Sequence, residues 1–272
     1  MAFTYFHLGL GLDLGLGPGF GFVNYFSFRI VGESYQPLKM TQLAKGLAAV
    51  LIGLGLFAVL FNQERIKRSL GEVIPEESNG GDPRVVSKTG AYQNTKFMHL
   101  IDYKFGSSLV NILTHNNIAS ITDMGCGTGN YVKMFADFNI KTQGFDGNPD
   151  TKKWDVSGGL CEGPVDITEE RFWDETDAAM SIEVAEHIPA EYEQAFLNNL
   201  VNSARHLIFL SWGVPGQGGD FHVNGQWGAD VVQKMNKSGW ERHEVLTQIL
   251  QNEAEFDYLK RNVQVFRKIK SD

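Results

Sequence analysis

Cysteine is scarce: the 272-residue chain holds two, Cys126 and Cys161. A small secreted scaffold stapled by disulfides needs more of them at short spacings, so that class is excluded. Both are expected as reduced thiols, because a bridge from Cys126 would pull on the glycine-rich turn around it. An excess of positive charge is also missing. The chain carries 24 Lys and Arg against 32 Asp and Glu, a net charge of -8. That is the wrong sign for a protein that wraps a phosphate backbone, so a nucleic-acid partner is not expected.

Long apolar runs are rare, with one exception. Gly46 to Phe61 has no charged residue. At 1.5 Å per residue it would reach about 24 Å, slightly short of a bilayer core of about 30 Å. Extension to Leu43, with Lys45 snorkelling, brings it near the spanning limit. Residues 43–61 are therefore expected to form a membrane span or anchor, the alternative being a buried helix of a soluble domain. A cleaved signal peptide fits less well, since the run starts deep in the chain and no small-x-small site follows. Lys39 and Lys45 precede the run, and Arg65, Lys67 and Arg68 follow it, which favours a cytosolic C-terminal domain. Residues 1–42 read as a low-complexity stretch of Gly, Leu and Phe, too rich in glycine for a stable helix. Residues 62–94 read as a polar linker, with Pro75, Ser78-Asn79-Gly80-Gly81 and Pro83. From residue 95 to 272 strand-like and helix-like segments alternate, the texture of an α/β doubly wound sheet.

Ser120 to Met124 reads as a strand and runs into Gly125-Cys126-Gly127-Thr128-Gly129. Asn130 to Phe138 follows with Tyr131, Met134, Phe135 and Phe138 on one helical face. Strand, glycine turn and helix start place free backbone N–H groups at the carboxyl edge of a sheet, where a ligand can approach. The spacing is G-x-G-x-G, not the G-x-G-x-x-G of the nicotinamide fingerprint, which makes a nicotinamide oxidoreductase the weakest reading. A second short strand, Lys141 to Phe145, ends at Asp146, followed by Gly147-Asn148-Pro149. A carboxylate at that strand tip can accept hydrogen bonds from both hydroxyls of a ribose.

These two stretches, D-M-G-C-G-T-G and G-F-D-G-N-P, resemble the first two motifs of the class I S-adenosylmethionine-dependent methyltransferases, seven-stranded Rossmann-like proteins. The resemblance runs from about residue 95 to the C-terminus. It implies S-adenosyl-L-methionine as cofactor, with Asp123, Gly125, Cys126, Gly127 and Gly129 around the methionine part. Asp146, Gly147 and Asn148 would meet the ribose. Gly163 to Ile167 resembles the third strand and its tip, where Asp166 would bind the adenine amino group and Ile167 would pack on the ring. The combination of E-V-x-E-H-I-P with G-Q-G-G-x-x-H-V-N is similar to uncharacterised methyltransferase-domain proteins and names no substrate.

Asp177 to Ile182 reads as the fourth strand, and Glu183-Val184-Ala185-Glu186-His187-Ile188-Pro189 follows at the tip that faces the methyl donor in such folds. The stretch is not the N-P-P-Y or D-P-P-Y of enzymes acting on nucleobase amines, nor the Pro-Cys of cytosine C5 enzymes. Glu183 is expected in the cofactor pocket. His187, His222 and Glu186 are the candidate catalytic groups, histidine being the natural base near neutral pH. A helical turn would also put Glu183, Glu186 and His187 on one face, where His222 could complete a mixed oxygen and nitrogen metal site. That arrangement resembles metal-assisted 2′-O-methyltransferases of small RNAs and some quinone O-methyltransferases. Trp212, Gln217, His222 and Asn224, in a loop after the fifth strand, are expected on the acceptor side. The function expected is methyl transfer to a small or lipid-like acceptor, O-methylation foremost. The alternatives are a metal-assisted RNA 2′-O-methyltransferase and an inactive membrane-tethered binding module.

Overall fold

The computed structural model describes residues 85–93 and 100–270. The segments 1–42 and 43–61, and most of the stretch 62–94, lie outside the described residues. Among the described residues no helix is long and apolar enough to cross a membrane.

Seven strands form one sheet. In chain order they are β3 (Ser120–Met124), β4 (Lys141–Phe145), β5 (Cys161–Glu162), β6 (Thr176–Ser181), β7 (Ala204–Leu210), β8 (Trp240–Arg242) and β9 (Gln264–Lys268). They lie in the order β5-β4-β3-β6-β7-β9-β8. The pairs β5–β4, β4–β3, β3–β6 and β6–β7 are parallel, whereas β9 runs antiparallel to both β7 and β8. This order, with one reversed strand near one edge, is the Rossmann-like methyltransferase fold. A separate hairpin pairs β1 (Val85–Val86) with β2 (Tyr92–Gln93).

Both faces of the sheet are covered, so its central strands alternate between two apolar layers. On one side Phe105, Leu109 and Leu113 of α1 (Tyr103–His115) pack with Met134 and Phe135 of α2 (Asn130–Asp137). These meet Ile121 and Phe209 of the sheet. On the other side Phe196 and Leu200 of α4 (Glu193–Asn202) and Val231 and Met235 of α5 (Gly228–Lys237) meet Ile208, Leu210 and Phe266. The short helix α3 (Thr151–Trp154) lies before β5; α6 (Glu244–Glu253) and α7 (Asp257–Asn262) lie between β8 and β9. The chain crosses from one face to the other between β3 and β6. Their carboxyl ends therefore part at a topological switch point, where an open α/β sheet binds its ligand.

Two expectations are corrected. The third strand was expected at Gly163–Ile167, but β5 is Cys161–Glu162. Residues 155–159 curl on Asp155, whose carboxylate accepts from the N–H groups of Ser157 and Gly159. This brings Cys161 opposite Gly144. Past Glu162 the ladder stops at Pro164, which has no N–H to give. The two cysteines, expected as free thiols, are joined in a disulfide. Gly144 explains why the bridge fits: a Cβ there would lie 2.7 Å from Cys126 Cβ and 2.9 Å from its sulfur. Cys126 thus crosses over a strand with no side chain in the way.

Helix α1 begins at Tyr103 because Asp102 caps it. The Asp102 carboxylate accepts from Phe105 N–H at 3.0 Å and from the N–H groups of Glu255 and Phe256 in the α6–α7 connection. It is 1% exposed. Replacing it by Ala leaves three donors without this partner, the buried Phe105 N–H and the part-buried N–H groups of Glu255 and Phe256, and an unpaired buried donor costs about 1–3 kcal/mol. Asp102→Ala is expected to lower unfolding stability in urea by about 2–4 kcal/mol, with Asp102→Asn recovering part of the loss. Equal stability of the Ala variant would show that the cap and the connection are held by packing alone.

Candidate functional site

A cavity of about 680 Å³ opens at the carboxyl ends of β3, β4 and β6. Its volume suits a cofactor together with part of a second ligand. The glycine turn after β3 forms one wall. Gly125 holds φ +90°, and a Cβ there would press on Val184 at 2.3 Å, so this position has room for glycine alone. Gly125 and Cys126 face the cavity, while Gly127 and Gly129 shape the turn behind it. Gly127 and Gly129 also hold positive φ, at 55° and 75°.

Asp146, at the tip of β4, ties this wall together. Its Oδ2 accepts from Gly127 N–H and its Oδ1 from Asn148 N–H, both at 2.8 Å. Gly147 and Asn148 line the cavity beside it. Asp166 and Ile167 line it farther along, and the Asp166 carboxylate also closes a local turn. Its Oδ1 accepts from the N–H and hydroxyl of Thr168. Asp123 lies between the two arms, 3% exposed. Burial, helped by the nearby Asp146 charge, pushes its carboxyl up to about 8.

The other end of the cavity is built after β6. The expected helical turn over Glu183–His187 does not form as one unit. Glu183 takes the left-handed conformation (φ 56°), and only Ala185–His187 makes a 3-10 turn. Such a conformation in a non-glycine residue costs of order 1–3 kcal/mol and recurs at functional sites. Ser211 holds it in place: its hydroxyl accepts from Glu183 N–H at 2.6 Å and donates to Glu183 Oε1 at 2.8 Å. Glu183 and His187 line the cavity, and Glu186 sits behind them, fully buried.

The long loop after β7 folds back onto this turn. Val223 N–H and Asn224 N–H both donate to Glu186 O. This brings His222 to the site, its ring centroid 4.8 Å from that of His187 and its Nε2 4.0 Å from Glu186 Oε1. Donor atoms of Glu186, His187 and His222 all lie within 4.8 Å of one another. Neither carboxylate oxygen of Glu186 has a hydrogen-bond partner, nor does His222 Nδ1. The backbone N–H groups of Glu186 and Gly213 act to lower the pKa of the Glu186 carboxyl. Burial, with the Glu183 charge alongside, outweighs them and raises its pKa. Glu183 is raised as well, by burial.

Of the four loop residues expected on the acceptor side, the cavity takes His222 alone. Trp212 is buried in the core and its indole N–H donates to Asn224 O. The Asn224 amide donates to Glu193, and Gln217 Oε1 accepts from Asn262. The sequence reading missed the hairpin. Thr89, Gly90, Ala91 and Tyr92 line the cavity, in a stretch read as linker. A Cβ on Gly90 would strike His187 O at 2.2 Å, and the Tyr92 hydroxyl donates to Asp220 O at 2.6 Å. Tyr92 also packs edge-on against His187. The available signal was Val85-Val86 and Ala91-Tyr92 flanking Thr89-Gly90, a hairpin pattern overshadowed by the polar residues before it.

No family model matches the chain, and no curated protein does. Solved structures do. A magnesium protoporphyrin IX methyltransferase (ChlM) from Synechocystis PCC 6803, with bound SAH, is 14% identical over 61% of this chain and 81% of its own, with a TM-score of 0.46. The methyltransferase domain of bacterial CtHen1-C is 16% identical, over 62% and 98%, with a TM-score of 0.46. SAM-bound CalS10, an amino pentose methyltransferase from Micromonospora echinaspora, is 13% identical, over 60% and 89%, with a TM-score of 0.45. These likenesses are remote, and the fold assignment rests on strand order and polarity.

The raised Asp123 carboxyl has a measurable consequence. Between its ordinary value near 3.8 and about 8 the folded state holds a proton that the unfolded state has released. Stability contributed at low pH is therefore lost as pH rises through that window, at up to about 1.4 kcal/mol per pH unit. Asp123→Asn cannot titrate and should escape this loss. Urea unfolding at pH 5, 6, 7 and 8 is expected to show the variant gaining on the parent at each step. Parallel profiles would place the Asp123 carboxylate in contact with water.

Proposed function

We propose that this chain transfers a methyl group from S-adenosyl-L-methionine to an oxygen of a small or lipid-like acceptor. The observation that carries the reading is the continuity of one cavity. Its glycine-and-Asp146 end fits a nucleoside joined to an amino acid, and its His187–His222 end offers a proton acceptor. The fit shows in the cradle at Gly125, which a side chain would fill, and in the Asp146 carboxylate at the second strand tip. Asp123 would balance the amino group of the methionine part, which relieves the cost of its burial. Asp166 and Ile167 would receive the adenine.

The cofactor supplies a methyl group already activated on a sulfonium, so the residues of the chain have two tasks: to align the acceptor and to take its proton. Alignment alone contributes up to roughly 7–11 kcal/mol. His187 Nδ1 lies 3.3 Å from Phe221 O. A proton held toward that carbonyl leaves the lone pair on Nε2, the tautomer a general base requires. The intact glycine turn and Asp146 speak against an inactive binding module.

A second reading adds a divalent cation to the acceptor end. It is supported by the unpartnered Glu186 carboxylate facing His222, in a group of one carboxylate and two imidazoles. That mixed donor set suits a borderline first-row metal. An RNA 2′-hydroxyl would be one acceptor for such a site, and the net charge of -8 speaks against it. The attachment to a membrane through residues 43–61, with the catalytic domain on the cytosolic side, rests on sequence alone. Lipid-like acceptors are preferred on that basis.

Calorimetric titration of the full chain with S-adenosylmethionine, its demethylated product and NAD tests the donor half. Binding of the first two alone is expected, and absence of both from a folded protein would overturn the reading. His187→Ala is expected to lower turnover by about 10²–10⁴-fold with unchanged cofactor affinity. Titration with Mn²⁺ or Zn²⁺ separates the metal reading: Glu186→Gln should abolish a site present in the parent. Activity unaffected by chelation would remove it.

A further inference from the structure

The two cysteines of the chain meet at the cofactor wall. Cys126 belongs to the glycine turn and lines the cavity; Cys161 begins β5 and is 2% exposed. They are 35 residues apart in sequence, with Cα atoms 6.3 Å apart, inside the range a disulfide spans. The closed loop holds α2, β4 and Asp146, so the bridge fastens the turn that receives the cofactor to β5, the neighbour of the strand that ends at Asp146. Three features make the pairing a built one. Gly144, the residue opposite Cys161 across the ladder, leaves the gap that Cys126 fills. At Gly129 a Cβ would lie 3.2 Å from Cys161 Cβ, so the turn folds directly over the bridge. Cys161 Sγ is also 3.5 Å from Gly127 O, in the residue whose N–H binds Asp146.

We propose that the Cys126–Cys161 pair is a reversible redox switch on cofactor binding, tight when oxidised and weak when reduced. The inference rests on the cofactor reading given above. Two free thiols need a non-bonded separation that a bonded pair does not, and both lie in close-packed surroundings, so reduction must displace one of them. β5 is a two-residue edge strand held to β4, and the turn is held by the Asp146 carboxylate and by the N–H groups of Gly125 and Cys126 on Phe145 O, so displacement of either sulfur disturbs the wall between them. The partner reaction is exchange with a small disulfide such as oxidised glutathione. The two protein thiols lose two electrons and two protons, one S–S bond forms in the protein, and one breaks in the small molecule, which leaves as two thiols. Cys161 is shielded, so exchange enters through Cys126 from the cavity. A bound cofactor slows exchange in both directions. Because reduction disturbs the wall that the cofactor contacts, the oxidised state binds it more tightly, and by linkage the cofactor favours the oxidised pair.

The experiment is calorimetry of the full chain with S-adenosylhomocysteine, after equilibration in oxidised glutathione and again in dithiothreitol, with thiols counted under denaturing conditions in each. The expected result is no titratable thiol in the first sample, two in the second, and an affinity at least threefold lower on reduction. Cys161→Ser should bind equally in both buffers. Ligand should also slow thiol release by dithiothreitol in the parent. Equal affinities in the two states, or two free thiols after oxidised glutathione, would overturn the switch. Failure of both samples to bind would instead overturn the cofactor reading. Gly144→Ala, which fills the gap while keeping both cysteines in the sequence, should give a folded chain with two thiols in the oxidising buffer. Bridge formation there would overturn the packing argument.

Discussion

The Asp146 carboxylate is the tie on which the cavity depends. It stands at the end of β4 and accepts from the N–H of Gly127 on the neighbouring turn and from the N–H of Asn148 on its own. Two hydrogen bonds to a charged acceptor, each of roughly 1.5–3 kcal/mol, help to hold a turn whose three glycines stand at positive φ, a conformation that other residues rarely adopt. The geometry of the turn then sets the rest. The start of α2 points into the cavity, Cys126 reaches across Gly144, and Val184 closes against Gly125. A carboxylate bound in this way is still able to take further donors, since each oxygen has a second lone pair.

Around that tie the site is assembled from carboxyl groups that are reluctant to ionise. Asp123, Glu183 and Glu186 are all pushed toward the neutral form, and in each the leading cause is burial. A protein built for stability alone would place apolar residues there. Clusters of this kind mark sites where a ligand completes the charge balance. The two ends of the cavity divide the task. Asp123 faces the glycine wall, whereas Glu183 and Glu186 face the histidines.

Much of this was legible in the sequence, because its strongest signals are local. The G-x-G-x-G turn, the acid at the next strand tip and the E-V-x-E-H stretch each depend on spacing within a few residues, and they fall where expected. What was hidden depends on distance. Nothing local to Trp212 or Asn224 shows that their polar atoms are used up by each other and by Glu193. Nothing near Cys126 announces that the residue facing Cys161 is a glycine, so the bridge appeared strained when read one segment at a time. The third strand was misplaced for a similar reason. The curl on Asp155 shifts the register by two residues, and side-chain turns of that sort override propensity. The hairpin at residues 85–93 was missed because its partner is the far side of the site.

That hairpin bears on traffic through the molecule. Its backbone at Gly90 rests on His187, and its Ala91 rests on Gly147, at opposite ends of the cavity; a Cβ on Gly147 would lie 2.5 Å from that of Ala91. In the function proposed above, both ligands would lie beside this one short hairpin, residues 85–93. On that side one hairpin forms the wall shared by both ends of the cavity.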